Sequence, residues 1–228
     1  MQNLLKNIQI DALIFDMDGV IVDTEPIHTE AFEQFLEKHD IAYTREQLNS
    51  FIGFSVEENV KQIRNGLSAS KTIPLRKSIN ERNEIYLNIL KQRVLIPNPG
   101  VDDILSRCIE KGIPVALATS SPDEQVDVIL NQLDGKYAGR YRNVFSAITH
   151  GREVKHKKPQ PDIYHLSVKR LKLLPENIIA IEDSPAGIES ANRAGLRTIG
   201  FISQFYDRND LAGAHLLVNN LSEILDLL

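Results

Sequence analysis

An apolar run that meets two carboxylates and a glycine constrains the whole chain: Ala12-Leu13-Ile14-Phe15-Asp16-Met17-Asp18-Gly19-Val20. Four apolar residues in a row suit a strand buried on both faces, as in a parallel sheet covered by helices. In open α/β sheets, ligands gather at the carboxyl ends of such strands. Asp16 and Asp18 therefore stand where chemistry is expected, not on a solvated face.

The 228 residues permit one large domain or a domain carrying a sizeable insertion, and the patterns along the chain favour the second. After the first strand, Thr24 can cap a helix that has Pro26 near its start. Ile27, Ala31, Phe32, Phe35 and Leu36 recur along it at helical spacing. Thr44 with Gln47, and Ser55 with Glu58, match the reciprocal capping pattern and predict two more short helices. A longer helix follows Pro74, with Leu75, Ile79, Tyr86, Ile89 and Leu90 on one face. Ile96-Pro97-Asn98-Pro99-Gly100 then breaks the pattern and reads as a linker.

Beyond Gly100, helix and strand alternate. Val101, Ile104, Leu105, Cys108 and Ile109 form one stripe, and Gly112 sits where that helix would stop. Buried strands are expected at residues 114–119 and 177–183, a weaker one at 144–149 and a further one at 198–202. Helices open at Ser121-Pro122, with Val126, Ile129, Leu130 and Leu133 inward, after Pro161, with Ile163 and Leu166, and at Ser184-Pro185. The last of these ends at Gly195, and residues 134–142 read as a polar loop. Such alternation predicts an α/β fold with a doubly wound, mostly parallel sheet. Residues 1–23 and 97–228 would form its core, and residues 24–96 an inserted α-helical domain just beyond the two acids, positioned as a lid.

Composition removes several partner classes. A formal net charge of −5 argues against nucleic-acid binding, which calls for a basic patch. No run approaches the roughly 18 apolar residues of a membrane span, and Met1-Gln2-Asn3-Leu4-Leu5-Lys6 lacks the apolar core of a secretory signal. Cys108 is the only cysteine, so no intrachain disulfide is possible and a reducing compartment fits. The expectation is a cytoplasmic protein, a monomer or weak oligomer, with no nucleic-acid or membrane partner.

Three expected strand ends carry polar residues: Asp16 and Asp18, then Thr119 and Ser120, then Glu182 and Asp183. Lys158 follows the weaker strand. Acids from two strands would form a hard oxygen-ligand site, which suits Mg²⁺. A hydroxyl and an ammonium beside it suit a phosphoryl group, whose spread charge needs donors and cations. Neither a P-loop nor a G-x-G-x-x-G fingerprint is present, so nucleoside-triphosphate and dinucleotide modules lack support.

Four motifs carry a family resemblance: Asp16-Met17-Asp18-Gly19-Val20, Ala118-Thr119-Ser120-Ser121, Lys158-Pro159-Gln160-Pro161-Asp162, and Glu182-Asp183-Ser184-Pro185-Ala186-Gly187. In that order, and each at or just after an expected strand end, they resemble the haloacid dehalogenase superfamily. The branch is that of small phosphatases and β-phosphoglucomutases with a helical cap, and the likeness covers nearly the whole chain. It implies Asp16 as a nucleophile that becomes an aspartyl phosphate, and Asp18 as the acid and base that serves the leaving group and then water. It implies that Thr119, Ser120 and Lys158 bind the phosphoryl group, with Gly19 beside it. The metal would be held by Asp16, the Asp18 carbonyl, Asp183 and Glu182, the alternative for Glu182 being to support the other groups or cap a helix without binding the ion itself.

In the cap, the resemblance points to His28 near the hinge and Arg82 facing the site; each could equally be a helix-surface residue. The loop Phe51-Ile52-Gly53-Phe54-Ser55-Val56-Glu57 matches the substrate-selecting loop by spacing. β-Phosphoglucomutases carry an arginine after that serine, where this chain has Val56, which weakens the mutase reading. The expected activity is a Mg²⁺-dependent phosphatase for a small phosphorylated metabolite, most simply a sugar phosphate. A mutase-like isomerase and a catalytically silent binding module are the alternatives. Retention of an acid at Asp18 disfavours dehalogenase and phosphonatase chemistry.

Overall fold

A computed structural model describes residues 9–52, 54–66, 74–137 and 140–228; Met1 to Lys6 and Gly53 lie outside them. The chain forms two compact units, Thr24–Val94 and a second made of Met1–Asp23 with Leu95–Leu228. Strand β1 (Ala12–Phe15) has all four side chains buried, as its unbroken apolar run requires.

Within Thr24–Val94 the chain is helical: α1 (Glu25–Lys38), α2 (Arg45–Asn49), α3 (Val56–Gly66) and α4 (Leu75–Gln92). Phe32, Phe35, Leu36, Ile41, Leu48, Phe51, Val60 and Ile63 form the core of this unit. Both reciprocal caps form. Gln47 N donates to Thr44 Oγ1 at 3.2 Å while Thr44 N donates to Gln47 Oε1 at 2.8 Å, and Ser55 and Glu58 repeat the exchange. Thr24 departs from expectation. It precedes α1, but at φ −101° and ψ −5° its side chain makes no capping hydrogen bond. An N-cap residue usually needs extended backbone to bring its oxygen over the first-turn N–H groups.

The other unit adds α5 (Val101–Lys111), β2 (Val115–Ala118), α6 (Asp123–Tyr137), α7 (Arg140–Val144), β3 (Phe145–Thr149), α8 (Asp162–Leu171), β4 (Ile178–Glu182), α9 (Pro185–Arg193), β5 (Arg197–Phe201) and β6 (Leu216–Val218). Its sheet runs β3-β2-β1-β4-β5-β6, with every neighbouring pair parallel. Strand order steps outward from β1 to β3, then restarts on the other side at β4. The carboxyl ends of β1, β2 and β4 thus surround a topological switch point.

Two further sequence expectations need correction, and two elements were missed. Ile109 is 58 % exposed, because the residue after Cys108 is rotated about 100° off the buried face of α5. Residues 134–142 are not a loop: α6 runs on to Tyr137 and α7 starts at Arg140, with residues 138–139 outside the described set. The local polarity hid an anchor there, since Tyr141 is buried and its hydroxyl donates to Asp102 Oδ1 at 2.9 Å. Strand β6 and the final 3₁₀ turns, Leu221–Leu227, were also not foreseen; β6 has three residues, of which Val218 alone is buried.

Candidate active site

Asp16 directly follows β1, and its N–H still donates to Ile181 O of β4 at 2.9 Å, so the sheet fixes its backbone. The chain then turns tightly, with Ile21 N and Val22 N donating to Met17 O and Gly19 N donating to Val22 O. Gly19 sits at φ +88°, the left-handed region that favours glycine. A Cβ there would stand 2.0 Å from Asp183 Oδ2, so the missing side chain is what admits that carboxylate. Asn98, on the returning linker, clamps the turn by donating from Nδ2 to Gly19 O at 2.7 Å and Val20 O at 3.0 Å.

Lys158 reaches the same place from the loop after β3. Its Nζ donates to Asp16 Oδ1 at 2.5 Å, to Glu182 Oε1 at 2.5 Å and to Ala118 O at 3.2 Å. Glu182 is fully buried and well supplied with donors. Tyr164 of α8 donates its hydroxyl to Oε1 at 2.6 Å, and Ser184 donates to Oε2 at 3.2 Å. Ser184 Oγ also accepts from Gly187 N at 3.1 Å and so caps α9. Gly187 is there for space: a Cβ would lie 2.0 Å from the Glu182 carboxyl.

Asp16, Glu182 and Asp183 offer buried carboxylate oxygens that all lie within 4.8 Å of one another. Burial pushes Asp16 up to about 8; Lys158 opposes this, while Glu182 and Asp18 add to it. Asp183 is held well above the carboxylate range by burial, then by Asp16 and Glu182. For Lys158 burial acts in the opposite sense, but Asp16 and Glu182 outweigh it and keep the ammonium above its ordinary value. Three buried carboxylates facing one ammonium are under-neutralised, and buried charge without a counter-charge is costly. An all-oxygen donor set of this kind fits a hard divalent cation.

Asp18 faces the loop after β2. Thr119 Oγ1 donates to its Oδ2 at 3.1 Å and Ser121 Oγ donates to the same oxygen at 2.8 Å. The Ser120 carbonyl packs on Gly151, where a Cβ would come within 2.1 Å of it. Sequence reasoning passed over Asn98, Ser121, Tyr164 and Ser184 as site residues. Ser121 and Ser184 lie inside the quoted motifs, whereas Asn98 and Tyr164 sit among linker and core residues and carry no such signal.

His28 and Arg82 belong to the helical unit, where they pair with each other. Arg82 is fully buried, and its Nη2 donates to His28 Nδ1 at 2.7 Å and to His28 O at 3.0 Å. Its guanidinium lies 4.1 Å over the Phe32 ring, and the His28 ring stacks on Tyr86 at 4.2 Å. Among the described residues Arg82 Nε and Nη1 have no hydrogen-bond partner, and burial lowers its pKa to about 10. Burial, then Arg82, holds His28 well below the usual histidine range. Arginine can only donate, so His28 Nδ1 accepts and the ring proton resides on Nε2.

A doubly wound parallel sheet carries an aspartate pair, a threonine and a second acidic pair at its strand ends, joined by a lysine from the loop after β3, a set of groups chemically suited to a phosphoryl group. Residues 13–201 match the family described as haloacid dehalogenase-like hydrolase, and the chain belongs to that family. Within it the chain is a phosphatase-type enzyme, a phosphoric monoester hydrolase. It is 34 % identical to the phosphorylated carbohydrates phosphatase of Thermotoga maritima, over 96 % of this chain and 98 % of that one. It is also 30 % identical to the β-phosphoglucomutase of Bacillus subtilis, over 95 % and 93 % of the two chains. The crystal structure of CbbY from Rhodobacter sphaeroides in complex with phosphate is similar at a TM-score of 0.81 and 26 % identity, covering 94 % of this chain and 96 % of that one. Among the described residues, no helix is long and apolar enough to cross a membrane.

Proposed function

We propose that the protein is a Mg²⁺-dependent phosphatase that hydrolyses a small phosphorylated metabolite, a sugar phosphate, through an aspartyl phosphate on Asp16. Thr24–Val94 would serve as its cap. The observation that carries this reading is the Asp16–Lys158 pair at 2.5 Å beside buried Glu182 and Asp183, with Asp18 two residues away. Asp16, the Asp18 carbonyl and Asp183 would hold the ion. Both carboxyl oxygens of Glu182 already receive donors, Lys158 and Tyr164 on one and Ser184 on the other, so its part is to hold Lys158 in place. When bound, Mg²⁺ supplies positive charge that offsets repulsion between a carboxylate nucleophile and a phosphate dianion.

In the first step an Asp16 oxygen attacks phosphorus while Asp18 gives its proton to the departing alkoxide. In the second, Asp18 takes a proton from water as that water attacks, and inorganic phosphate leaves Asp16. Lys158 remains charged throughout and neutralises the phosphoryl oxygens, to which Thr119 and the Ser120 loop donate. In the helical unit, neutral His28 would present an Nε2–H donor, with Arg82 holding it rather than binding phosphate.

The names of the relatives support carbohydrate phosphates as the substrate class, and one of those relatives is a mutase. Val56 packs as an apolar residue against the helical core where mutases carry an arginine, which favours hydrolysis. Incubation with β-glucose 1-phosphate and Mg²⁺ separates the two: release of inorganic phosphate supports the phosphatase, and glucose 6-phosphate formed without phosphate release overturns it. Asp16→Asn should abolish p-nitrophenyl phosphate hydrolysis. A fully active variant would remove the covalent mechanism.

A further inference from the structure

Thr119 has a single hydroxyl hydrogen, and in this structure it is given to Asp18 Oδ2 at 3.1 Å, while the oxygen accepts Ser121 N at 3.0 Å. To donate to a phosphoryl oxygen, Thr119 must withdraw that hydrogen from Asp18. The second donor on the same carboxylate oxygen is Ser121 Oγ, at the shorter distance of 2.8 Å. Its backbone is also fixed independently. Gly151 N donates to Ser121 O at 2.9 Å, Thr119 N donates to Thr149 O at 3.0 Å, and Gly151 abuts the preceding carbonyl without room for a Cβ.

We propose that Ser121 is a positioning residue for the acid–base group: its hydroxyl retains Asp18 Oδ2 when Thr119 turns to the phosphoryl group and so keeps the carboxyl aimed at the leaving oxygen. This rests on the reading of Asp18 as acid and base given above. The proton balance is explicit. As the Asp16 oxygen–phosphorus bond forms and the phosphorus–leaving-oxygen bond breaks, the Asp18 proton passes to the leaving oxygen and Asp18 becomes a carboxylate. Asp18 then regains a proton from the water that cleaves the aspartyl phosphate. Throughout, Oδ2 accepts the Ser121 hydroxyl.

The consequence is a dependence on leaving group that neither phosphate binding nor folding would produce. The quantity kcat/KM covers only steps up to the first phosphoryl transfer, where an alkoxide needs a proton and a nitrophenolate does not. Ser121→Ala should lower kcat/KM for a sugar phosphate by about 10- to 100-fold, the range expected for losing a hydrogen bond to a charged group. The loss on p-nitrophenyl phosphate should be several-fold smaller, and Ser121→Thr, which keeps the hydroxyl, should recover most of the sugar-phosphate activity. Asp18→Asn is measured alongside as the reference for removal of the acid itself. Equal losses on both substrates, or no loss on either, while Asp18→Asn discriminates between them, would overturn the role of Ser121. If Asp18→Asn itself treats both substrates alike, the acid–base reading fails first. Should Ser121→Ala not fold, a Ser121→Thr enzyme with no preference for the poorer leaving group restored relative to Ser121→Gly overturns the proposal just as directly.

Discussion

At the scale of single residues, the site is built by donors that saturate some carboxylates and leave others short of positive charge. Glu182 receives Lys158, Tyr164 and Ser184, while Asp16 shares Lys158 with it, and burial raises the pKa of Asp16 and Asp183 in the same cluster. Tyr164→Phe keeps the packed ring and removes one donor from a buried charge, so it should cost about 1–3 kcal/mol in urea unfolding. Gly19→Ala sets a methyl group against Asp183 at a backbone angle that alanine tolerates poorly. It should weaken Mg²⁺ binding by about 10- to 100-fold, read by calorimetric titration, with the fold retained by circular dichroism. Asp16, Asp18, Thr119 and Lys158 were legible in the sequence as a candidate site because they lie at or beyond strand ends inside short motifs. Asn98 and Tyr164 were not, because each acts through a partner roughly 80 or 20 positions away and pattern alone carries no such pairing.

At the scale of elements, the strongest sequence signals were local. Thr44/Gln47 and Ser55/Glu58 form the caps their spacing requires, and Ser184 caps α9. Ser184 joins element to site, since one hydroxyl accepts from Gly187 N and donates to Glu182. Ser184→Ala should therefore destabilise the protein by about 1 kcal/mol in thermal or urea unfolding and lower kcat as well. An ordinary cap variant such as Thr44→Ala should cost a similar amount of stability without altering kcat. The failures were local in origin too. Residues 134–142 look polar, yet Tyr141 anchors α7 through Asp102, about 40 positions earlier. β6 is too short to show alternation and is recognisable only by its pairing with β5. Thr24 had the right residue type for a cap but lies in a backbone conformation that does not use it.

At the scale of the whole molecule, charge in the site is linked to stability. Asp16 carries a pKa of about 8 when folded against 3.8 as an ordinary carboxyl, so between those values the folded state holds the extra proton. Stability of the metal-free protein should fall as pH rises through that window, the sign required when the native state binds more protons. A divalent cation must displace that proton, so its affinity rises over the same window. The melting temperature gained on adding Mg²⁺ should accordingly be larger at pH 8 than at pH 6, and chelation should reverse the gain; equal gains at both would contradict the coupling. Strand order has a further consequence, one of timing. β1 lies between β2 and β4, so the segment bearing Asp16 and Asp18 is translated well before residues 178–182 yet cannot be enclosed by the sheet until they have emerged from the ribosome. Thr24–Val94, which forms a compact unit of one continuous stretch, can fold in that interval. Asp16 and Asp18 are thus synthesised first among the candidate site's acids but wait for the last of them, Glu182 and Asp183, before the sheet closes around them.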